Sequence, residues 1–183
     1  TSMIFFSTVT WMAWRLRDDV TTNRPVPTSQ RWIWAAALAV YIQIILGATV
    51  RHFNAGLACT DFPLCEGVLW GDLTLMKIHM AHRYGALATL ALVIYASVKA
   101  LRAPGRDPLS CVLPVTAVLV ALVQIFVGIA SVITALAPWM VTLHLACGAA
   151  LLANMISILA VNASPSEVTD DSSAPSGALG AHA

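Results

Sequence analysis

Charged residues are scarce in this chain. Lys, Arg, Asp and Glu together make up 10% of the 183 residues, whereas 58% are hydrophobic and the mean hydropathy is +0.78. Soluble domains carry about 25% charged residues, so this composition excludes an ordinary soluble protein and predicts an integral membrane protein. The net charge is +1 and the chain has no basic stripe, so we expect a lipid bilayer, and no nucleic acid, as its partner.

Acidic residues are missing from the apolar segments, and cysteines are few in the whole chain. No Asp or Glu occurs in the four long apolar segments, which argues against an ion-coupled transporter or pump with an intramembrane relay of acids. Four cysteines are too few for a disulfide scaffold, and only Cys59 and Cys65 are close together.

Each of the four apolar segments is long enough to cross a bilayer, which takes roughly 20 residues. We predict transmembrane helices over residues 32–50, 78–100, 112–133 and 139–161. The predicted fold class is therefore an all-α integral membrane protein with a four-transmembrane-helix bundle over residues 32–161.

The other segments are polar or short. Residues 1–14 are apolar but too short to span alone, and we interpret them as the end of a preceding transmembrane helix, with an interfacial helix as the alternative. Residues 15–31 are predicted to be a cytoplasmic linker, residues 51–77 an outer loop that carries the close cysteines, and residues 162–183 a disordered Ser/Ala/Pro-rich tail.

Basic residues predict the orientation, because they favour the cytoplasmic side in short loops. The linker and the loop after the second span hold most of them: Arg15, Arg17, Arg24, Arg31, Lys99, Arg102 and Arg106. The connection 134–138 is uncharged, and the loop 51–77 has a basic residue only at each end. We therefore expect both ends of the bundle inside and the cysteine loop outside.

Two spans share a short repeat. Residues 43–47 read Gln-Ile-Ile-Leu-Gly, and residues 124–128 read Gln-Ile-Phe-Val-Gly. Each repeat is followed by a helix with a histidine near its outer end, so the chain is interpreted as two helix hairpins related by duplication, although chance matching of apolar helices is the alternative. Parallel repeats of this kind place one ligand from each half across a pseudo-twofold axis.

The histidines of the second and fourth spans are His82 and His144. At 1.5 Å per residue, they lie roughly 6 to 8 Å below the outer helix starts. An imidazole in hydrocarbon is costly and indicates function. Two at matched depth on neighbouring helices predict a shared haem iron held from both faces; the alternative is that each hydrogen-bonds a neighbouring helix.

Four other side chains lie near this end of the bundle. Arg51 and Arg83 are candidates to pair with haem propionates, or to reach lipid phosphate instead. His79 is expected to support His82 or to be solvated. His52 is expected to be a plain interfacial residue, with a gate or proton relay as the alternative.

Cys59 and Cys65 lie in the loop that we predict on the oxidising side, where a disulfide is chemically permitted. Pro63 between them favours a turn that brings the sulfurs together. The pair is interpreted as a staple of the loop or as a redox couple that passes electrons.

These residues resemble the haem A synthase family. The resemblance covers roughly residues 32–161 and rests on Gly-Ala-Thr-Val-Arg-His at 47–52, Gly-Leu-Ala-Cys at 56–59, Asp-Phe-Pro-Leu-Cys at 61–65, His-Met-Ala-His-Arg at 79–83, Gln-Ile-Phe-Val-Gly at 124–128 and Thr-Leu-His at 142–144. It implies the second, C-terminal half of an eight-helix duplicated protein, with a b-type haem between His82 and His144 and with Cys59 and Cys65 as the paired loop cysteines.

The resemblance also implies an activity and its partners. Members oxidise the C8 methyl of haem O to the formyl group of haem A, for cytochrome oxidase assembly, after haem O synthase supplies haem O. It implies a bacterial plasma membrane, and the other half of the enzyme or a second copy as partner. One departure matters: the substrate-binding half carries a catalytic glutamate three residues before its first histidine, whereas this chain has His79 there. We therefore assign no catalytic residue, and expect the chain to bind haem and to be inactive alone.

Two other functions compete with this interpretation. A small bis-histidine membrane cytochrome that transfers electrons, linked to quinone, would use the same haem. A membrane thiol oxidoreductase would instead be built around Cys59 and Cys65, and it ranks last because the cysteines do not form a Cys-x-x-Cys pair on a helix.

Overall fold

The computed structural model describes residues 2–16, 30–102 and 108–162. Over these residues the chain forms five α-helices and a single 3-10 turn at Ala55–Leu57. The helices are α1 Ser2–Arg15, α2 Gln30–His52, α3 Thr74–Leu101, α4 Pro108–Ile133 and α5 Pro138–Asn162. Helices α2 to α5 are long and apolar enough to cross a membrane. The prediction of an all-α, multi-pass membrane protein is confirmed.

The observed helices are longer than the predicted spans. Helix α3 begins at Thr74, four residues before the predicted start at Ile78, and α2 continues to His52. Backbone hydrogen bonding persists into polar residues at the membrane surface, whereas hydropathy falls there, so the apolar run marks only the interior of each helix. The predicted linker and tail fall mainly at residues 17–29 and 163–183, outside the described residues.

Helices α2, α3, α4 and α5 contact one another in a ring, with α5 returning to α2. Helices α3 and α5 therefore occupy opposite corners of the bundle, and α2 and α4 the other two. Small residues at the contacts let the backbones approach closely; the buried ones are Ala36, Ala37, Ala96, Ala100, Ala117 and Ala121. Larger side chains such as Ile33, Val93 and Leu159 fill the remaining core.

Polar side chains also join the helices. Asn154 Nδ2 on α5 donates to Thr116 Oγ1 on α4 at 2.7 Å. Helix α1 lies against α5, where Trp14 Nε1 donates to Ser157 Oγ at 2.7 Å. The association of α1 with the bundle fits either predicted origin of this helix, so its assignment as the end of a preceding span stays a prediction.

The connection between α2 and α3 folds back over one end of the bundle. A disulfide joins Cys59 and Cys65, and a tight turn follows in which the main chains of Cys65 and Val68 exchange hydrogen bonds. The short connection between α4 and α5 reaches the same end, because the Leu136 side chain lies directly over Gly56. The two connections thus meet over the bundle.

Candidate functional site

His82 on α3 and His144 on α5 face each other across the bundle. Their ring centroids are 6.4 Å apart and the ring planes are inclined at 80°. At 1.5 Å per residue, His82 lies about 12 Å and His144 about 9 Å beyond the first residue of its helix, deeper than the sequence predicted. The expectation of neighbouring helices was wrong: α3 and α5 are diagonal, and this is what lets both rings point at the bundle centre.

The spacing of the two rings fits a shared metal. Imidazole nitrogens bind metals at about 2.0–2.1 Å and lie about 1 Å from the ring centre, so two axial imidazoles on one iron require centroids about 6 Å apart. Nδ1 of His144 is buried without a hydrogen-bond partner. Two imidazole donors complete the coordination of an iron whose other four positions are filled by a porphyrin.

A glutamine from the preceding helix contacts each histidine. Gln43 Nε2 lies 2.9 Å from His82 Nδ1, and it also donates to the His82 main-chain oxygen at 2.8 Å. Gln124 Nε2 lies 3.5 Å from His144 Nε2. The sequence repeat marked both glutamines, but only helix packing reveals that each one faces the histidine of its own hairpin.

Glycines let the helices close around these rings. A Cβ atom at Gly47 would lie 3.1 Å from His82 Cε1, and one at Gly128 would lie 2.9 Å from His144 Cε1. Both distances are shorter than ordinary van der Waals contact, so each imidazole packs against a bare helix backbone. The glycine that ends each sequence repeat thus forms one wall of the site.

Arg83, next to His82, contacts the cysteine loop. Its Nη1 donates to the main-chain oxygens of Asp61 at 2.8 Å and Leu64 at 2.9 Å, and Nη2 donates to that of Cys59 at 2.7 Å. The structure thus engages Arg83 with carbonyl groups of the loop, where the sequence indicated propionates or lipid phosphate. Arg51 is exposed at the end of α2.

His79 and His52 differ in their surroundings. His79 is buried, with 4% of its surface exposed, and its Nδ1 has no hydrogen-bond partner. A solvated role for His79 is therefore wrong, because the loop covers it. His52 is exposed at the end of α2, and its ring packs edge-on to Phe53 with centroids 5.1 Å apart. This position agrees with an interfacial residue.

The disulfide loop is closed by Asp61. Its carboxylate accepts hydrogen bonds from the main-chain N–H groups of Glu66 at 2.8 Å and Gly67 at 3.2 Å, and these bonds lower the pKa of Asp61 below its ordinary value. Glu66 and Gly67 have positive φ angles of 51° and 79°, as a two-residue turn requires. Cys59 and Cys65 are both completely buried, so the loop shields its own disulfide.

Comparison with known proteins places this bundle in a family. Residues 1–156 match the family described as cytochrome oxidase assembly protein (COX15-CtaA). A haem A synthase of Symbiobacterium thermophilum is 38% identical over 94 residues, 51% of this chain and 31% of that protein. A haem A synthase of Bacillus cereus is 31% identical over 144 residues, 75% of this chain and 46% of the relative.

A relative that is not named as a haem A synthase is also similar to this chain. The protoheme IX farnesyltransferase of Haloarcula marismortui is 32% identical over 137 residues, which cover 75% of this chain and 29% of that protein. This chain thus spans less than half the length of each of these three curated relatives. With a family match that extends over most of its residues, the chain belongs to the cytochrome oxidase assembly family that the sequence resemblance indicated.

Proposed function

We propose that this chain is the haem-b-binding half of a haem A synthase, with His82 and His144 as the axial ligands of one haem iron. The single observation that carries the proposal is the 6.4 Å separation of the two ring centroids across the bundle. The names of the relatives support it, because haem A synthase and protoheme IX farnesyltransferase are both named for reactions of haem.

The residues of the site have separate roles in this proposal. His82 and His144 hold the iron, and the glycine walls at Gly47 and Gly128 bring each ring close to a neighbouring helix. When bound, a six-coordinate haem supplies one-electron transfer, because no coordination position is open for oxygen chemistry. We assign a propionate contact to Arg51, because Nη1 and Nη2 of Arg83 already donate to loop carbonyls.

The reaction of the whole enzyme sets what the haem must do. Conversion of the C8 methyl of haem O to a formyl group takes one oxygen from water and releases four protons and four electrons. We infer that His82 and His144 would hold a haem that could take these electrons one at a time and pass them to an oxidant outside this chain, while the substrate is bound elsewhere in the enzyme. The partners are accordingly the substrate-binding half or a second copy, haem O synthase as the supplier, and cytochrome oxidase assembly as the destination.

Among the described residues, the position three before His82, where the substrate-binding half carries its glutamate, holds the buried His79. Asp61 and Glu66 both lie in the outer loop. We therefore assign no catalytic residue, and we expect the chain alone to bind haem without producing haem A.

The decisive experiment is reconstitution of the detergent-purified chain with protohaem IX. We expect the absorption spectrum of a six-coordinate b-type haem, and we expect His82→Ala and His144→Ala each to abolish it. His52→Ala is the matched control, because this ring is exposed at the helix end and its removal leaves the spectrum unchanged. A spectrum that survives both ligand substitutions would refute the proposal.

A second measurement separates the enzyme from a simple cytochrome. Co-expression with a source of haem O and the substrate-binding half is expected to yield extractable haem A, whereas the chain alone yields none. If haem A never forms but the haem cycles with a quinone, the chain is the electron-transfer cytochrome that the sequence left as the alternative. The thiol oxidoreductase interpretation finds no support in the complete burial of both loop cysteines, because exchange requires access to sulfur.

We further propose that the chain lies in a bacterial plasma membrane with the cysteine loop outside. The disulfide supports this side, because an oxidising compartment favours it. Asp72 is exposed in the loop. An Asp72→Cys variant is expected to react with a membrane-impermeant maleimide in intact cells, and labelling only after lysis would reverse the orientation.

A further inference from the structure

The two hairpins of the bundle repeat one arrangement of side chains. In the first hairpin the glutamine side chain of α2 contacts His82 of α3, and in the second the glutamine side chain of α4 contacts His144 of α5. A glycine of the histidine-bearing helix faces each glutamine. A Cβ at Gly85 would lie 2.5 Å from Gln43 Oε1, and one at Gly148 would lie 3.1 Å from Gln124 Nε2.

The contacts are therefore reciprocal. Each histidine packs on the glycine that lies one turn after the glutamine, and each glutamine packs on the glycine that lies one turn after the histidine. A larger residue at any of the four glycines would push the amide and the ring apart. Both hairpins thus place a glutamine amide against an imidazole, at Nδ1 in His82 (2.9 Å) and at Nε2 in His144 (3.5 Å).

Each glutamine also has an unused acceptor. Gln43 Oε1 and Gln124 Oε1 are both buried without a hydrogen-bond partner. A neutral imidazole that binds a metal through one nitrogen carries its proton on the other, and that N–H needs an acceptor. A glutamine amide offers a donor and an acceptor on the same carbon, so a half turn of the amide exchanges the nitrogen for the oxygen.

We propose that Gln43 and Gln124 are paired positioning residues, each of which orients one axial histidine. The amide oxygen of each accepts a hydrogen bond from the ring N–H when the other ring nitrogen binds iron. This inference rests on the proposed haem site. Hydrogen bonding from a ligand N–H raises the basicity of the imidazole, which favours the ferric state. The glutamines consequently set the reduction potential of the haem as well as the orientation of its ligands.

The two glutamines also differ in how their amides are held. Gln43 Nε2 is held by the main-chain oxygen of His82 at 2.8 Å, whereas Gln124 has only its 3.5 Å contact with the ring. Rotation of the Gln43 amide breaks its hydrogen bond to the main-chain oxygen of His82, whereas rotation of the Gln124 amide breaks no such bond. We therefore expect substitution of Gln124 to move the reduction potential further than substitution of Gln43.

The test compares substitutions of equal length in the chain reconstituted with protohaem IX. Gln→Met at either position removes the acceptor, so we expect haem affinity to fall about tenfold or more and the midpoint potential to rise. Gln→Glu retains an oxygen acceptor at the same reach, so the potential stays near that of the parent chain or falls. Asn154→Leu is the control, because it removes an interhelical hydrogen bond to Thr116 and leaves the potential unchanged.

Three outcomes count against the inference. Equal potentials for the parent chain and both Met variants would overturn it while the haem site stood. Shifts of the same sign and size for the Met and Glu variants would show a packing role without a hydrogen bond to the ligand. A parent chain that binds no protohaem would overturn both this inference and the proposed function.

Discussion

Arg83 Nη2 donates to the main-chain oxygen of Cys59 at 2.7 Å, across 24 positions of sequence. The same guanidinium donates to the main-chain oxygens of Leu64 and Asp61, so a single side chain hydrogen-bonds three carbonyl groups of the disulfide loop. Because Arg83 directly follows His82, the loop is joined to the helix turn that presents one of the proposed ligands. The loop is thus part of the support of the site.

Replacement of Arg83 tests this support. Arg83→Met removes hydrogen bonds from a charged donor, each worth about 1.5–3 kcal/mol, so we expect the loop to loosen and the chain to lose about 2 kcal/mol or more of stability. Arg83→Lys keeps the charge but not the fork, and we expect an intermediate loss. Thermal unfolding in detergent and the rate of disulfide reduction measure both effects.

Arg51→Met is the matched control, because Arg51 is exposed at the end of α2. Measured without haem, it should change neither the melting temperature nor the rate of disulfide reduction. If Arg83→Met left the reduction rate of the Cys59–Cys65 bond unchanged, the three hydrogen bonds would not hold the loop.

Alanine at the wall glycines tests the packing of the rings. Gly→Ala normally stabilises a helix by about 1 kcal/mol, but here the added Cβ would meet His82 at 3.1 Å or His144 at 2.9 Å. We expect Gly47→Ala and Gly128→Ala to cost about 1–3 kcal/mol through overpacking, with the larger loss at Gly128. Both variants should also weaken protohaem binding in a spectrophotometric titration.

Ala48→Gly, at an exposed neighbouring position of α2, provides the contrast. It carries the propensity cost of a helical glycine without touching either ring, so haem binding should not change. Stabilisation by both alanine substitutions would mean that the histidines do not pack on these helix backbones.

The ring planes predict a spectroscopic signature. With imidazole planes inclined at 80°, both iron dπ orbitals interact almost equally with the ligands and remain close in energy. We expect the ferric haem to give a strongly anisotropic low-spin EPR signal. A rhombic signal, typical of parallel imidazole planes, would show that the rings turn substantially on binding or that another residue ligates the iron.

Asp61 predicts how the loop responds to acid. The pKa of its carboxyl is lowered, first by the N–H of Glu66 and then by that of Gly67, relative to the ordinary value of 3.8. A depressed pKa means that the carboxylate contributes stability above that ordinary value, and that the contribution is lost as the pH falls through the lowered pKa. The loop should therefore hold its turn at neutral pH and loosen only below about pH 4.

Hydrogen exchange at the Glu66 and Gly67 amides measures this response. Asp61→Asn should remove most of the acid dependence, because asparagine keeps an acceptor but does not titrate in this range. Persistence of the same acid transition in the Asn variant would assign it to a different group.

Much of the bundle could be predicted from the sequence, because hydropathy reports directly on burial in lipid. Within the described residues, four helices long and apolar enough to cross a membrane lie where hydropathy predicts them. His82 and His144 lie deeper than predicted, because both helices begin earlier than the apolar runs. The diagonal placement of α3 and α5 could not be predicted, since it depends on which helix faces pack together and hydropathy alone does not give this.

Contacts between residues that are far apart in the sequence could also not be predicted. The repeat identified Gln43 and Gln124 as matched positions, but their contacts with the histidines depend on the relative rotation of the helices. The charge of Arg83 predicts an anionic partner, whereas the folded loop brings main-chain carbonyls to its guanidinium. The sequence leaves a supporting and a solvated role for His79 open, because the burial of this side chain depends on tertiary packing.

Gly56 has no side chain, and this lets the connection between α4 and α5 approach the loop between α2 and α3 closely. The Leu136 side chain occupies the place where a Cβ at position 56 would stand, 2.9 Å from the nearest leucine carbon. The connection between α4 and α5 therefore packs directly on the loop between α2 and α3 at this point. A bulkier residue there would have to displace the Leu136 side chain, and would so disturb the seal that the two connections form over the end of the bundle.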